Sequence, residues 1–569
     1  MKNKILFYIV SIIILLIIFP LLKPWYIFSL DQVLNPNWWV PIIGSNIFLV
    51  WIFSQIFNFL NIPIWILEKI IIILTFVIPA FWGYLLSKKT KNIYAILFTI
   101  LFLIFNPFLY DRFLDWQINI YLSYSLYPLF LYFLKNTLEN HHSKKYILLW
   151  LFSLILCLIS IHNIIFLLFI FVIFSIFYIK KTWVKNISKI LISVLIFNLL
   201  WILPFLFLKT EKFELAKQID NFWNNHQQAF KTVSWDANIY FNVLSMHWYW
   251  GENQKRFTTV AEINTKWKNL FILIFFIVLL WIYSRIKEKK FNNFEKSLLI
   301  LALVSYILAL WISENNIFSF INKFLYDYLP FYKWFREPQK WVIFIVIFYA
   351  YFGWFWIKFL SEKIKKINIE KFIKIFILSI LAVMPIFYNS DFFWSFWWQI
   401  SIKQYPKQWK EIKNIIFEEN NIFEKECKYL EEKKSTSCYN TLSLPWHSYM
   451  WFNFTKKRTG WWIVRYFWDN ILISDNLEYS WIYTQSTRIE SKIIEKYIWP
   501  KWVFKNIDNI KKEDLNTFIL DLKNLEIKNI ILLKEVDFVL YKDFLNLLEE
   551  KKYIDIKKEN DMIILYRIY

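Results

Sequence analysis

The sequence predicts a polytopic α-helical membrane protein of about eleven spans, followed by a C-terminal extracytoplasmic α/β domain. Three observations predict it. Apolar runs near 18 residues, the length that crosses a bilayer, recur from residue 5 to residue 388. Lys-rich connections recur at every second loop between them. Beyond residue 388 the long apolar runs stop, and short helix-period and strand-period patterns replace them.

The first run, Ile5 to Leu22, follows the basic start Met1-Lys2-Asn3-Lys4 with no small-residue cleavage site behind it, so it reads as a retained signal anchor. Further spans fall near 66–87, 92–109, 117–135, 146–161, 163–180, 187–208, 268–285, 296–313, 341–360 and 371–388. With the N-terminus inside, the inner loops hold Lys88, Lys89 and Lys91; Lys144 and Lys145; Lys180, Lys181 and Lys185; Arg285, Lys287, Lys289 and Lys290; and Lys363, Lys365 and Lys366. Every inner loop is thus basic, as the positive-inside rule requires. The organisation is a membrane domain over 1–388, with long outer loops at 24–65 and 209–267, and an outer domain over 389–569. The expected location is the cytoplasmic membrane. In the outer domain Lys512 to Leu525 reads as a helix, Ile527 to Leu533 as a strand and Tyr541 to Lys551 as a helix. Tyr553 to Ile556 and Met562 to Tyr566 read as a closing hairpin.

A formal net charge of +22 suggests a nucleic-acid partner until its distribution is read. From residue 389 onward about 28 basic residues face 26 acidic ones, so the excess lies in the membrane half, where it sets orientation. No nucleic-acid motif accompanies it, and none is expected as a partner. Three cysteines are too few for a disulfide scaffold or a cysteine zinc cluster. Cys427 and Cys438 share the outer compartment, where a disulfide between them or two separate thiols are both open.

The chain has 33 Trp and 5 Gly, where the usual Gly frequency would give roughly 40. Four glycines adjoin a Trp: Trp82-Gly83, Trp250-Gly251, Gly353-Trp354 and Gly460-Trp461. An aromatic belt would explain Trp near the bilayer, but the outer domain alone has a dozen Trp and one Gly. The pattern fits a gene in which UGA codons specify glycine and have been rendered as Trp.

On the predicted outer face the polar residues gather. Asp31 stands in the first outer loop. Asn106-Pro107-Phe108-Leu109-Tyr110-Asp111-Arg112-Phe113-Leu114-Asp115-Trp116-Gln117 reads as an outer turn, His162 marks another, and Phe335-Arg336-Glu337-Pro338-Gln339-Lys340 precedes a late span. Ionisable groups at span ends are functional candidates. Plain alternatives stand beside them: Asp31 as a helix cap, Asp111 and Arg112 as a simple pair, Arg336 and Lys340 as interface anchors.

This layout resembles the GT-C superfamily of membrane glycosyltransferases, and the 106–117 stretch is similar to large arabinofuranosyltransferase-like membrane proteins, as is Phe335 to Lys340. The resemblance covers roughly residues 1–390. It implies transfer of a sugar from a polyprenyl-phosphate donor to a cell-envelope glycan, lipid or protein acceptor. It implies Asp31 as the catalytic acidic residue. Arg336, Lys340, Asp111, Arg112, Glu337, Gln117 and His162 would then line the donor-phosphate cleft. Such enzymes often carry a second acidic residue near the donor; none is singled out here, so a divalent metal stays open. Two other readings stand: a transporter or flippase of lipid-linked sugars, which would bury charges mid-span, and a non-catalytic envelope-assembly protein.

Overall fold

The computed structural model describes the chain except residues 1, 35–47, 88–90, 141–142, 248, 254–256, 290, 313–315, 330–331, 333–336, 369, 420–440, 468–470, 477, 480–481, 484, 487, 500–501, 504–509, 536–537 and all but a few positions of 180–237. Most of the span expected at 187–208, together with Arg336, Cys427 and Cys438, falls outside the described residues.

Among the described residues, apolar sequence becomes helix at the expected spans. The first eight helices are α1 Lys2–Ile18, α2 Phe48–Phe59, α3 Ile64–Ser87, α4 Ile93–Ile104, α5 Pro107–Leu114, α6 Ile118–Asn140, α7 Ser143–Ile159 and α8 Asn163–Tyr178. Later helices cover Trp267–Lys287, Asn293–Ala309, Val342–Lys366 and Lys371–Tyr388. Among the described residues, six stretches are long and apolar enough to cross a membrane: Lys4–Leu22, Ile64–Leu86, Ile93–Leu114, Trp267–Lys287, Pro338–Lys366 and Lys371–Tyr388. Within the Ile93–Leu114 stretch the helix breaks at Asn106. There the Asn106 side chain accepts the Leu109 N–H at 2.9 Å and Pro107 takes the first helical position. Asn caps and Pro at that position start helices, because Pro needs no N–H partner there and the cap satisfies a free one. The stretch read from sequence as an outer turn is therefore a short helix, and every residue of α5 is buried.

The C-terminal region carries a five-stranded sheet of order β12-β13-β11-β3-β6. In chain order the strands are β1 Tyr26–Ile27, β2 Ile402–Lys403, β3 Thr441–Leu444, β4 Tyr449–Phe452, β5 Lys457–Gly460, β6 Ile471–Leu472, β7 Glu478–Tyr479, β8 Ile482–Tyr483, β9 Ile498–Trp499, β10 Trp502–Val503, β11 Asn529–Leu533, β12 Ile554–Glu559 and β13 Ile563–Ile568. β3 runs parallel to β6 and β11, while β13 is antiparallel to β11 and β12. All five residues of β11 are buried, as expected of a strand covered on both faces. Ile530 and Leu532 pack with Phe518 of the Lys512–Asn524 helix and Phe544 of the Phe538–Glu550 helix. Ile531 and Leu533 join the large core that continues into the membrane helices. The alternation follows from the period of two along a strand.

Two contacts fasten the loop after α1 to this region. β1 pairs with β2, aligning Tyr26 with Lys403 and Ile27 with Ile402. Tyr26 and Phe28 then pack edge-on against Tyr405, with ring centroids 5.4 and 5.0 Å away. Asp31 lies four residues past this clamp.

Candidate functional site

Asp31 is held from three directions. Its backbone N–H donates to the Asp115 carbonyl at 3.2 Å, and the neighbouring Ser29 hydroxyl donates to the Leu114 carbonyl at 2.6 Å. These bonds lay the loop along the end of α5. Its carboxylate accepts from Gln117 Nε2 at 2.8 Å on Oδ2 and from the Tyr449 hydroxyl at 3.3 Å on Oδ1. Tyr449 comes from the β4–β5 hairpin. That hairpin is docked by the Gly460 N–H, which donates to the Leu30 carbonyl at 2.8 Å. A Cβ on Gly460 would lie 2.9 Å from the Leu30 oxygen, too close for any side chain.

Gln117 leads onward. Its Oε1 accepts from Arg112 Nη1 at 2.5 Å, and the same nitrogen is 2.9 Å from Glu337 Oε2. Lys340 Nζ stands 4.0 Å from that carboxylate oxygen. Arg112 is wholly buried, and its guanidinium lies over the Tyr249 ring at 4.1 Å. The Tyr249 hydroxyl donates to Asp115 Oδ2. Burial, and then the Asp115 carboxylate, push the Tyr249 phenol well above its ordinary range, so it remains a donor. Asp111 lies beside the Glu252 carboxylate. The simple Asp111–Arg112 pair allowed by the sequence is replaced by an Arg112–Glu337 pair. On a helix adjacent residues point apart, so neighbours in sequence do not face each other. Lys457 of the hairpin donates to the Gln399 carbonyl, and burial pulls its ammonium down to about 8 against the opposing pull of Asp115.

A small cavity of about 10 Å³, room for about one water, opens beside this chain of contacts. It is lined by Asn119, Ser123, Ser160, His162, Lys340 and the apolar Ile343, among others. Gln32, next to Asp31, exchanges two hydrogen bonds with Asn119, at 3.0 and 3.1 Å. The cavity is thus one bonded step from Asp31, and it brings His162 and Lys340 onto one wall.

Of the residues singled out from sequence, Asp31, Gln117, Arg112, Glu337 and Lys340 form one connected set, and His162 joins Lys340 in the cavity. Asp111 is near and lies beside Glu252. Sequence reasoning missed Tyr249, Glu252, Tyr449 and Lys457; Asp115 was in the quoted stretch without a role. Among the described residues, no group of three or more His, Cys, Asp or Glu side chains could hold a metal ion.

No protein-family model matches the chain, and no curated sequence does. The chain is similar in fold to the cryo-EM structure of the arabinofuranosyltransferase AftD from Mycobacteria, with a TM-score of 0.51 at 10% sequence identity. The match covers 100% of this chain and 40% of that one, so the chain spans less than half of AftD's length.

Proposed function

We propose that the chain is an integral-membrane glycosyltransferase of GT-C type that moves a sugar from a polyprenyl-phosphate donor to a glycan, lipid or protein acceptor of the cell envelope. The observation that carries this reading is the bonded line Asp31–Gln117–Arg112–Glu337–Lys340, which runs from a first-loop carboxylate to a cavity holding a cation. The fold likeness to a membrane arabinofuranosyltransferase points the same way. In this reading the other long helices are further spans, about eleven in all, with the N-terminus inside. The region after residue 388 then forms an outer domain that helps close the site.

The chemistry needs a base for the acceptor hydroxyl and cations for the departing phosphate. Asp31 takes the hydroxyl proton while the hydroxyl oxygen bonds to the anomeric carbon. The bond from that carbon to the donor phosphate oxygen breaks, and the phosphate leaves with the electron pair. Gln117 and Tyr449 fix the orientation of the carboxylate. Lys340 holds the leaving phosphate, with His162 lining the same small cavity, and Arg336 is assigned to the phosphate from its place in the sequence four residues earlier. Arg112 adds a second cation: its Nε and Nη2 have no hydrogen-bond partner among the described residues, and a buried guanidinium suits a phosphate oxygen. Glu337 keeps Arg112 and Lys340 from repelling each other across the site.

The test is transfer from a polyprenyl-phosphate sugar in membranes containing the protein. Lys340→Ala should raise the donor KM and leave protein level unchanged. Unaltered donor kinetics would remove Lys340 from the phosphate site.

A further inference from the structure

We propose that Trp116 and Trp311 occupy positions where the protein in its own cell carries glycine, encoded by UGA. Both follow a helix directly and adopt left-handed backbone, with φ of 58° and 55°. At 116 the hydrogen bonds are those of a glycine-terminated helix: Gln117 N–H donates to the Arg112 carbonyl and Trp116 N–H to the Phe113 carbonyl, both at 3.0 Å. At 311 the N–H donates to the Leu308 carbonyl at 3.3 Å past the end of the Asn293–Ala309 helix. Left-handed backbone costs glycine nothing and is a strained outlier for a bulky side chain.

The two are part of a bias. Among the described residues, six of the fifteen non-glycine positions with left-handed φ are Trp, namely Trp25, Trp116, Trp311 and, within one left-handed run at 394–398, Trp394, Trp397 and Trp398. Trp is 33 of 569 residues, so chance would place about one there. Met246 and Lys289 also take this conformation after helices, so the backbone alone does not require glycine. The enrichment in one residue type is what needs a cause. A second observation concerns the indoles. Buried indole N–H groups usually find a partner. Those of Trp82, Trp116, Trp281 and Trp354 have none among the described residues, and Trp82 and Trp354 adjoin Gly83 and Gly353.

Trp409 is the contrast. It lies within right-handed helical backbone and its ring packs 4.8 Å from Phe467 and 5.3 Å from Phe454. Its indole N–H is also unpartnered among the described residues, and the Trp116 ring likewise packs on Phe113 and Tyr121 at 5.1 and 5.9 Å, so the backbone is what separates the two. We assign Trp409 as a true tryptophan. The consequence for the site is direct, because the turn at 116 aims Gln117 at both Asp31 and Arg112.

The experiment has two arms. Peptides of the protein isolated from its native cells are weighed by mass spectrometry, and the codons are read. Glycine mass and UGA at 116 and 311, with tryptophan mass and UGG at 409, are expected. Tryptophan mass at 116 and 311 overturns the proposal. In the second arm Trp116→Gly and Trp409→Gly are made in the chain as written. Trp116→Gly should raise the yield of folded, monodisperse protein and its Tm, and Trp409→Gly should lower both. A genuine, fully buried Trp116 would behave like Trp409, and a fall in Tm for both variants overturns the assignment at 116.

Discussion

Arg112 and Glu337 meet at 2.9 Å although 225 residues separate them in sequence, and both are buried. α5 supplies one and the turn before the Val342–Lys366 helix supplies the other. Removing one member of a buried pair strands the other charge, at about 3–5 kcal/mol. Arg112→Met should therefore lower the Tm in detergent sharply. Arg112→Met combined with Glu337→Leu should recover part of the loss. An additive double-variant loss would show that the two groups do not interact.

Gln117 links Asp31 to Arg112 through the two ends of one amide. Gln117→Ala removes one hydrogen bond from each, and losing buried hydrogen bonds costs about 1–3 kcal/mol, or roughly 10- to 100-fold in rate if expressed in the transition state. The fall should appear in kcat, with donor KM little changed. A loss confined to KM would make Gln117 a binding residue and not a positioning one.

Tyr449 makes the matching prediction from the other side of the site. Tyr449→Phe keeps the ring and removes the hydroxyl that donates to Asp31 Oδ1. A hydrogen bond to a carboxylate favours its charged form. The acidic limb of the transfer rate should accordingly move to higher pH in Tyr449→Phe. An unmoved limb with normal kcat would leave Tyr449 a packing residue.

Much of the membrane half was legible, because an apolar run of span length has few other folds open to it. Asp31 and the 106–117 stretch were legible as polar residues where apolar ones were due. The form of that stretch was misjudged: Asn106-Pro107 reads as punctuation, yet here it starts α5 and turns the motif inward. Tyr449 and Tyr249 carry no local signal. They reach their partners Asp31 and Asp115 across 418 and 134 residues, and such pairings are set by tertiary packing. The α/β pattern near the C-terminus was legible through its period, while the docking of its hairpin onto Leu30 was not.

Lys457 gives the structure a pH signature. Its ammonium titrates near 8 when folded, below its ordinary 10.5, chiefly because it is buried. Between those values the unfolded chain binds more protons than the folded one. Stability should therefore rise as pH increases from about 8 toward 10.5. Tm measured across that window should climb more steeply in the parent than in Lys457→Met. Parallel curves would place Lys457 in water.

Asp31→Asn tests the central claim most directly. The substitution keeps size and a hydrogen-bonding oxygen for Gln117 but removes the base. Measured in membranes with a polyprenyl-phosphate sugar and an envelope acceptor, it should abolish transfer while the protein inserts and accumulates as the parent does. Full transfer by Asp31→Asn would contradict the account and leave Asp31 a structural clamp between the first loop and α5.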